Sequence, residues 1–289
     1  MTVTKASPRR EGSVAVKGGR AVGFAEWGDP DGHPVVVFHG CPGSRWLGVG
    51  CEDVAGELGL RMVCLERPGF GRSDHVVNRT ALGWADDVAD ATSALGIGHF
   101  VAVGVSAGSP YALACAARPT PRLDAVGVVA GLVPARFNTD DPFSGLIERD
   151  RTEAEAAARD HFEAMAADVD GSVRAMATRE GPDREIYERP DVQQRFATTR
   201  REAFRHGVDG AVLDLMLVHQ PWGFDLKDLT VDTRWWHGSL DTSVPIASVR
   251  AATASTPIEL TIYEDEGHAI SFVHGAQMLS ALVVALNDR

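Results

Sequence analysis

Long apolar runs are missing from this chain. No window approaches the roughly 18 consecutive apolar residues of a membrane span, and the N-terminal stretch holds no apolar segment of leader length. The expectation is a cytoplasmic protein with no membrane partner. Cysteine is scarce, and Cys41, Cys51, Cys64 and Cys115 show no CxxC spacing, which argues against a thiolate metal site and against a disulfide framework. Basic charge is in deficit, with 28 basic against 40 acidic residues, a net charge of −12, and no basic block. A polyanion is repelled by that balance, so nucleic acid is not an expected partner. There is no HExxH, no compact cluster of histidines and carboxylates, no GxGxxG after an early strand, and no GKS or GKT. Neither a metal nor a nucleotide cofactor is therefore expected. Internal repeats and low-complexity tracts are absent as well.

The 289 residues are 44% apolar, enough for one large core or for a main domain with a substantial insertion. Positions 13–39 read as short strands ending in the steep run PVVVF, and MVCLE at 62–66 reads as another. Thr80 can cap a helix in which Leu82, Ala85, Val88, Thr92 and Leu95 recur at helical spacing, with Gly96 just beyond it. FVAVG and DAVGVVAG follow as buried strands. Between them Gly108, Ala112 and Ala116 recur every fourth residue, so the intervening helix can lie close to a sheet. This alternation predicts an α/β fold with a mostly parallel sheet covered on both faces.

From 132 to 228 the pattern breaks into a charged, alanine-rich, helical stretch, and strand patterns return in TRWWHG and PIELTIYE before an apolar helix from His274 to about Leu286. The expected organisation is core 1–131, helical cap 132–228 and core 229–289. Within the cap, Thr152 with Glu155 has capping-box spacing, and Pro190 can open a helix. Phe162, Met165, Phe196, Phe204, Met216 and Trp222 are candidate pocket residues, against their ordinary role as cap core. Trp222 is favoured because PWGF is a rigid aromatic turn close to the return to the sheet.

The chemistry concentrates at strand ends. GVSAG, Gly104 to Gly108, places Ser106 where an apolar strand meets a small-residue helix. A tight turn there exposes the hydroxyl and sets it at a helix N-terminus, while glycines relieve crowding around it. A serine hydroxyl is a poor nucleophile until a base takes its proton, and His268 in EGH after the last strand is the candidate base. Asp241 in HGSLDTSVP is the candidate orienter of that histidine, with Asp140 and Asp141 as runners-up. The turn HGCPGSR can aim the Cys41 amide, and the residue after the nucleophile the Ala107 amide, at a tetrahedral oxygen. His39 and His237 read as braces of their turns, and no base is placed beside the Cys41 thiol to make it a second nucleophile.

These motifs together, HGCPGSR, ERPGFGRSD from Glu66 to Asp74, GVSAG, HGSLDTSVP and EGHAI, resemble the α/β-hydrolase superfamily, and within it the capped serine hydrolases, over positions 13–287. The resemblance implies an eight-stranded sheet with a helical cap after the sixth strand. It also implies Ser106 as nucleophile, Asp241 as acid, His268 as base, and the Cys41 and Ala107 amides as oxyanion donors. Related dehalogenases and epoxide hydrolases carry aspartate where Ser106 stands, which argues against those activities. Proline iminopeptidases usually have HGGPG where this chain has HGCPG. Non-haem haloperoxidases share a serine triad, which leaves peracid formation open as a side activity.

The expected function is hydrolysis of a small or medium, partly apolar carboxylic ester by a monomer or homodimer. The alternatives are a proline iminopeptidase-like aminopeptidase and a non-catalytic ligand-binding protein on the same scaffold. Glu153, Glu155 and Glu163, if turned inward, would favour the aminopeptidase by receiving a substrate ammonium; their ordinary place is in solvent.

Overall fold

The run Val35–Phe38 is buried along its whole length, as a β-branched segment covered on both sheet faces must be. In the computed structural model, which describes residues 7–48, 51–118, 122–138, 141–178 and 180–287, it belongs to one sheet of eight strands. These are β1 (Arg10–Ala15), β2 (Ala21–Gly28), β3 (His33–Phe38), β4 (Leu60–Leu65), β5 (Phe100–Val105), β6 (Leu123–Val129), β7 (Asp232–Gly238) and β8 (Glu259–Tyr263). Their spatial order is β1-β2-β4-β3-β5-β6-β7-β8. Pairing is antiparallel on both sides of β2 and parallel from β4 to β8. The mostly parallel eight-stranded sheet expected from the sequence is therefore present.

The helices are α1 (Glu52–Glu57), α2 (Ala81–Ala94), α3 (Ser109–Ala117), α4 (Pro142–Arg149), α5 (Arg151–Ala167), α6 (Val169–Arg174), α7 (Arg184–Glu188), α8 (Pro190–Ala203), α9 (Asp209–Val218), α10 (Ile246–Thr253) and α11 (Ser271–Asn287). Among the described residues none is long and apolar enough to cross a membrane.

Strand periodicity of two distributes the core to both faces. Val36, Phe38, Ala102, Val126 and Trp235 pack with α2, α3 and α10 on one side. Val35, Val37, Val101, Val103 and Trp236 pack with α11 and Ala55 of α1 on the other. Helix α3 packs directly on the sheet, with every residue from Ser109 to Ala116 buried. A Cβ on Gly108 would stand 2.2 Å from the Phe38 carbonyl oxygen, and one on Gly104 2.7 Å from the Gly108 oxygen. Only glycine permits that approach.

Thr80 caps α2 as expected, accepting from the Gly83 amide at 2.9 Å. The buried face of α2 is carried by Trp84, Ala85, Val88 and Ala91, with Leu82 at its margin. Pro190 opens α8. The expected capping box at Thr152 and Glu155 does not form. Asp150 caps α5 instead, accepting from the Thr152 and Glu153 amides at 2.9 and 3.0 Å. An aspartate two residues earlier offers a charged acceptor at the helix N-terminus, which outcompetes a hydroxyl.

Helices α4 to α9 all lie between β6 and β7. They contribute to two apolar clusters that also take in residues outside the insertion. One gathers Phe162, Ala158, Ala203, Val212 and Phe70, with Met165, Phe204 and Cys41 packed against it. The other gathers Met176, Tyr187, Val192 and Ala269, with Phe196 and Phe272 against it.

Candidate active site

Parallel strands end on the same side of a sheet, and it is at those carboxyl ends that the candidate residues meet. Ser106 follows β5 directly, in a short 3-10 turn leading into α3, with φ of 52°. A non-glycine residue in the left-handed region is strained. Here the strain is held by the packing of Gly104 and Gly108, and it is the backbone geometry of a sharp strand-to-helix elbow.

The loops after β7 and β8 are neighbours because those strands pair. The Ser239 amide donates to the Tyr263 oxygen and the Leu240 amide to the Glu266 oxygen, both at 2.9 Å. Contact is so close that a Cβ on Gly238 would lie 2.3 Å from the Glu266 and Gly267 oxygens. Asp241 and His268 are thereby brought together. His268 Nδ1 lies 2.7 Å from Asp241 Oδ2, and His268 Nε2 lies 2.9 Å from Ser106 Oγ. The three side chains form an unbroken relay across 162 residues of sequence separation between histidine and serine.

Asp241 is 5% exposed. Its burial acts to raise the carboxyl pKa, but the His268 hydrogen bond, the neighbouring histidines and the Val244 amide overcome it and leave the group below the usual range. It is ionised at neutral pH. Its Oδ1 accepts from the Ser243 and Val244 amides at 2.8 and 3.0 Å, so Oδ2 is the oxygen turned to His268. His237 is fully buried, and burial lowers its pKa and keeps it neutral. Its Nε2 lies 2.9 Å from the Val244 carbonyl and 3.3 Å from Asp241 Oδ2. It braces the acid loop, as the sequence suggested.

The turn after β3 lies against Ser106: a Cβ on Gly40 would stand 3.6 Å from Ser106 Cβ and 4.0 Å from Oγ. His39 Nδ1 donates to the Gly40 carbonyl at 2.7 Å, and its Nε2 faces the Arg67 amide. Burial, with Arg67 next in effect, holds this imidazole well below its ordinary pKa. Arg67 Nη2 reaches the same Gly40 carbonyl at 3.0 Å, while Nη1 takes the His39 carbonyl. The Gly40 carbonyl shares a planar peptide with the Cys41 N–H, which points the opposite way. Two donors on the carbonyl therefore fix the direction of that N–H and strengthen it as a donor. The Cys41 thiol is pushed well up by burial, with Asp214 adding to the effect, and its Sγ lies 3.7 Å from the Ala211 oxygen. It stays protonated, as the lack of a neighbouring base predicted.

Arg67 and Asp214 are residues whose roles the sequence did not disclose. Asp214, fully buried in α9, receives Arg67 Nε and Nη2 at 3.0 and 2.7 Å, the Tyr111 hydroxyl at 2.6 Å and Arg79 Nη2 at 3.0 Å. The available signal was one carboxylate inside the apolar run GAVLDLMLV, since a buried charge needs partners. Burial alone would raise its pKa; the charges and hydrogen bonds of Arg67, Arg79 and Tyr111 win, and the group sits at about 2. Asp214→Ala strands Arg67 in the interior and is expected to cost about 3–5 kcal/mol in urea unfolding. The depressed pKa also makes a sign prediction. Asp214 contributes stability at neutral pH that is lost as pH falls from about 4, its unfolded value, towards the folded value of about 2.

The other expected positions separate. Ala107 follows Ser106 and is buried at the start of the elbow turn. Asp141 caps α4 through the Ser144 amide at 2.8 Å and stands 3.6 Å from His219 Nε2, on other duty than the His268 relay. Asp140 lies outside the described residues. Phe162, Met165 and Phe204 pack in the cluster that touches Cys41, Phe196 packs in the cluster that touches Ala269, and Met216 is fully buried in α9. Trp222 departs from its expected pocket place. It is a main-core residue, with its indole N–H donating to the Val218 carbonyl at 3.0 Å. The PWGF turn folds inward because a large aromatic at a chain reversal gains most by covering the core. Glu153, Glu155 and Glu163 are all exposed.

A family model described as "alpha/beta hydrolase fold" matches residues 33–275. A proline iminopeptidase of Xanthomonas citri is 32% identical over 121 residues, 39% of this chain and 37% of that protein. A non-heme chloroperoxidase of Streptomyces lividans is 31% identical over 130 residues, 43% of this chain and 45% of that protein. The matched part thus spans less than half the length of these curated relatives. Among solved structures, a thermophilic esterase from Thermogutta terrifontis superposes with a TM-score of 0.70 at 21% identity, covering 96% of this chain and 98% of that one. An esterase from Exiguobacterium antarcticum does so with a TM-score of 0.70 at 17% identity, over 96% and 100%. At those identities the superpositions speak for the fold alone. Combined with the match across 33–275 and the strand order found here, they show that the chain belongs to the alpha/beta hydrolase fold family.

Proposed function

We propose that this α/β-hydrolase cleaves a small or medium, partly apolar carboxylic ester through a covalent acyl-serine intermediate. The observation that carries the reading is the relay from Asp241 Oδ2 through His268 to Ser106 Oγ, at 2.7 and 2.9 Å. Ser106 attacks the ester carbonyl as His268 Nε2 takes its proton. The Cys41 and Ala107 amides receive the oxyanion, with the Gly40 peptide held by His39 and Arg67 to aim the first of them. The imidazolium, stabilised by Asp241, then protonates the departing alcohol. Water activated by the same imidazole releases the acid and restores Ser106. No cofactor or metal has a part in these steps.

Residues 132–228 serve in this reading as a cap over the site, with the aromatic clusters around Phe162 and Phe196 at its underside. The aminopeptidase is the second reading, favoured by the proline iminopeptidase relatives. It needs an anionic group to receive a substrate ammonium, and the three glutamates considered for that part face solvent. The test compares wild type and Ser106→Ala on matched acyl esters, lactones, amides and proline-leading peptides. Ser106-dependent ester cleavage with the highest kcat/KM is the expected result. A kcat/KM for proline-leading peptides far above every ester would replace it with the second reading. Failure of a fluorophosphonate to label folded wild type would favour a binding protein.

A further inference from the structure

The loop that carries His268 is held from outside the main sheet. Asp183 occupies the position before α7, where an aspartate ordinarily accepts an amide of its own helix. It makes no such bond. Its carboxylate instead reaches across to the loop after β8, where Oδ2 accepts the His268 amide at 2.8 Å and Oδ1 accepts the Ala269 amide at 2.9 Å. Two consecutive N–H groups on one carboxylate fix the peptide planes on both sides of the His268 Cα. The backbone of that residue is then set, and only its side-chain torsions remain to meet Asp241 and Ser106.

Two further features belong to the same contact. A Cβ on Gly267 would lie 2.4 Å from Asp183 Oδ1 and 2.5 Å from its Cγ. Gly267 is not among the glycines with positive φ, so the carboxylate, rather than the backbone conformation, demands glycine before the histidine. The second feature is apolar: Ala269 is buried with Met176, Tyr187 and Val192 of the insertion, and the Phe196 ring meets Phe272 in a tilted contact with centroids 5.7 Å apart. These contacts hold the Asp183 segment in place.

We propose that Asp183, carried by the helical insertion, is a positioning residue for the base, its carboxylate holding the His268 backbone so that the imidazole spans Asp241 and Ser106. This role rests on the reading of His268 as the general base. It makes the insertion a working part of the site as well as its cover.

The full-length protein tests this with Asp183→Asn, Asp183→Ala, Gly267→Ala and the double variant Asp183→Ala/Gly267→Ala. Asp183→Ala is expected to lower kcat on a good ester about 10²-fold, the cost of roughly 1 Å of misplacement. KM and melting temperature should stay near wild type. Asp183→Asn keeps one acceptor oxygen and should lose less. In proton spectra the downfield Nδ1–H resonance of the His268–Asp241 pair should broaden or vanish in Asp183→Ala. Gly267→Ala should lose activity by displacing the carboxylate, and the double variant should be no worse than the worse single, because the clash has gone. Wild-type kcat in Asp183→Ala, or an unchanged Nδ1–H resonance in both Asp183 variants, overturns the proposal. So do losses that multiply in the double variant. If Asp183→Ala does not fold, Asp183→Asn and its resonance decide. Undiminished turnover by Ser106→Ala is a different failure: it removes the underlying reading of the site.

Discussion

Ser106→Ala is expected to reduce kcat for an ester by a factor on the order of 10⁶, the loss that follows removal of a triad nucleophile in a serine protease. The attacking oxygen is deleted, and nothing adjacent replaces it: the Cys41 thiol is held protonated by burial and occupies the turn after β3. Fold stability should change by less than about 1 kcal/mol, the scale of one lost hydrogen bond. The bond lost is the one to His268, and alanine meets the positive φ of 52° no worse than serine does. Steady-state ester hydrolysis, fluorophosphonate labelling and thermal melting measure the three quantities separately. A variant with retained turnover would mean that another group performs the attack.

Asp241→Asn is expected to cost about 10⁴-fold in kcat, the size found for the same exchange in a protease triad, and this structure supplies its own reason. The position of Oδ1 is fixed as an acceptor by the Ser243 and Val244 amides at 2.8 and 3.0 Å. An asparagine must therefore place its oxygen there and its NH₂ where Oδ2 stood, facing His268 Nδ1. That nitrogen becomes an acceptor, the proton moves to Nε2, and Nε2 can no longer take the Ser106 proton. His237, whose Nε2 lies 3.3 Å from Oδ2, adds a second donor facing the new amide. Because asparagine is isosteric, melting should change little while kcat falls with KM nearly constant. Equal activity in Asp241→Asn and wild type would remove the aspartate from the mechanism.

Much of the site was legible because its parts are short, local patterns with a mechanical reason. GVSAG marks an elbow because tight packing of Gly104 and Gly108 tolerates no side chain. Asp241 and His268 were legible from their chain order after strands that end on one side of the sheet. Their proximity follows from β7 pairing with β8, which a βα pattern implies but does not specify. Errors arose where a local signal competed with burial. The Thr152 box lost to Asp150, which offers a charged acceptor two residues earlier. Trp222 was drawn into the main core, since its turn lies over Leu82 and α9 and burial of a large ring outweighs its use at an entrance.

The residues that hold the site from the insertion left almost no local trace. Asp183 sits in a polar segment like many others, and its bonds to His268 and Ala269 join positions 85 and 86 residues away in sequence. Asp214 joins Arg67 across 147 residues. The α/β class, the serine at the strand-to-helix turn, the chain order of the candidate acid and base, and the helical stretch between the sixth and seventh strands were legible in the sequence, because these depend on periodicity of two and 3.6 and on glycine at turns too tight for a Cβ. The tertiary structure alone decided which charges the insertion turns inward and which loops they hold. A buried carboxylate is stable only where partners converge on it, and that convergence depends on how distant elements pack, which no local pattern records.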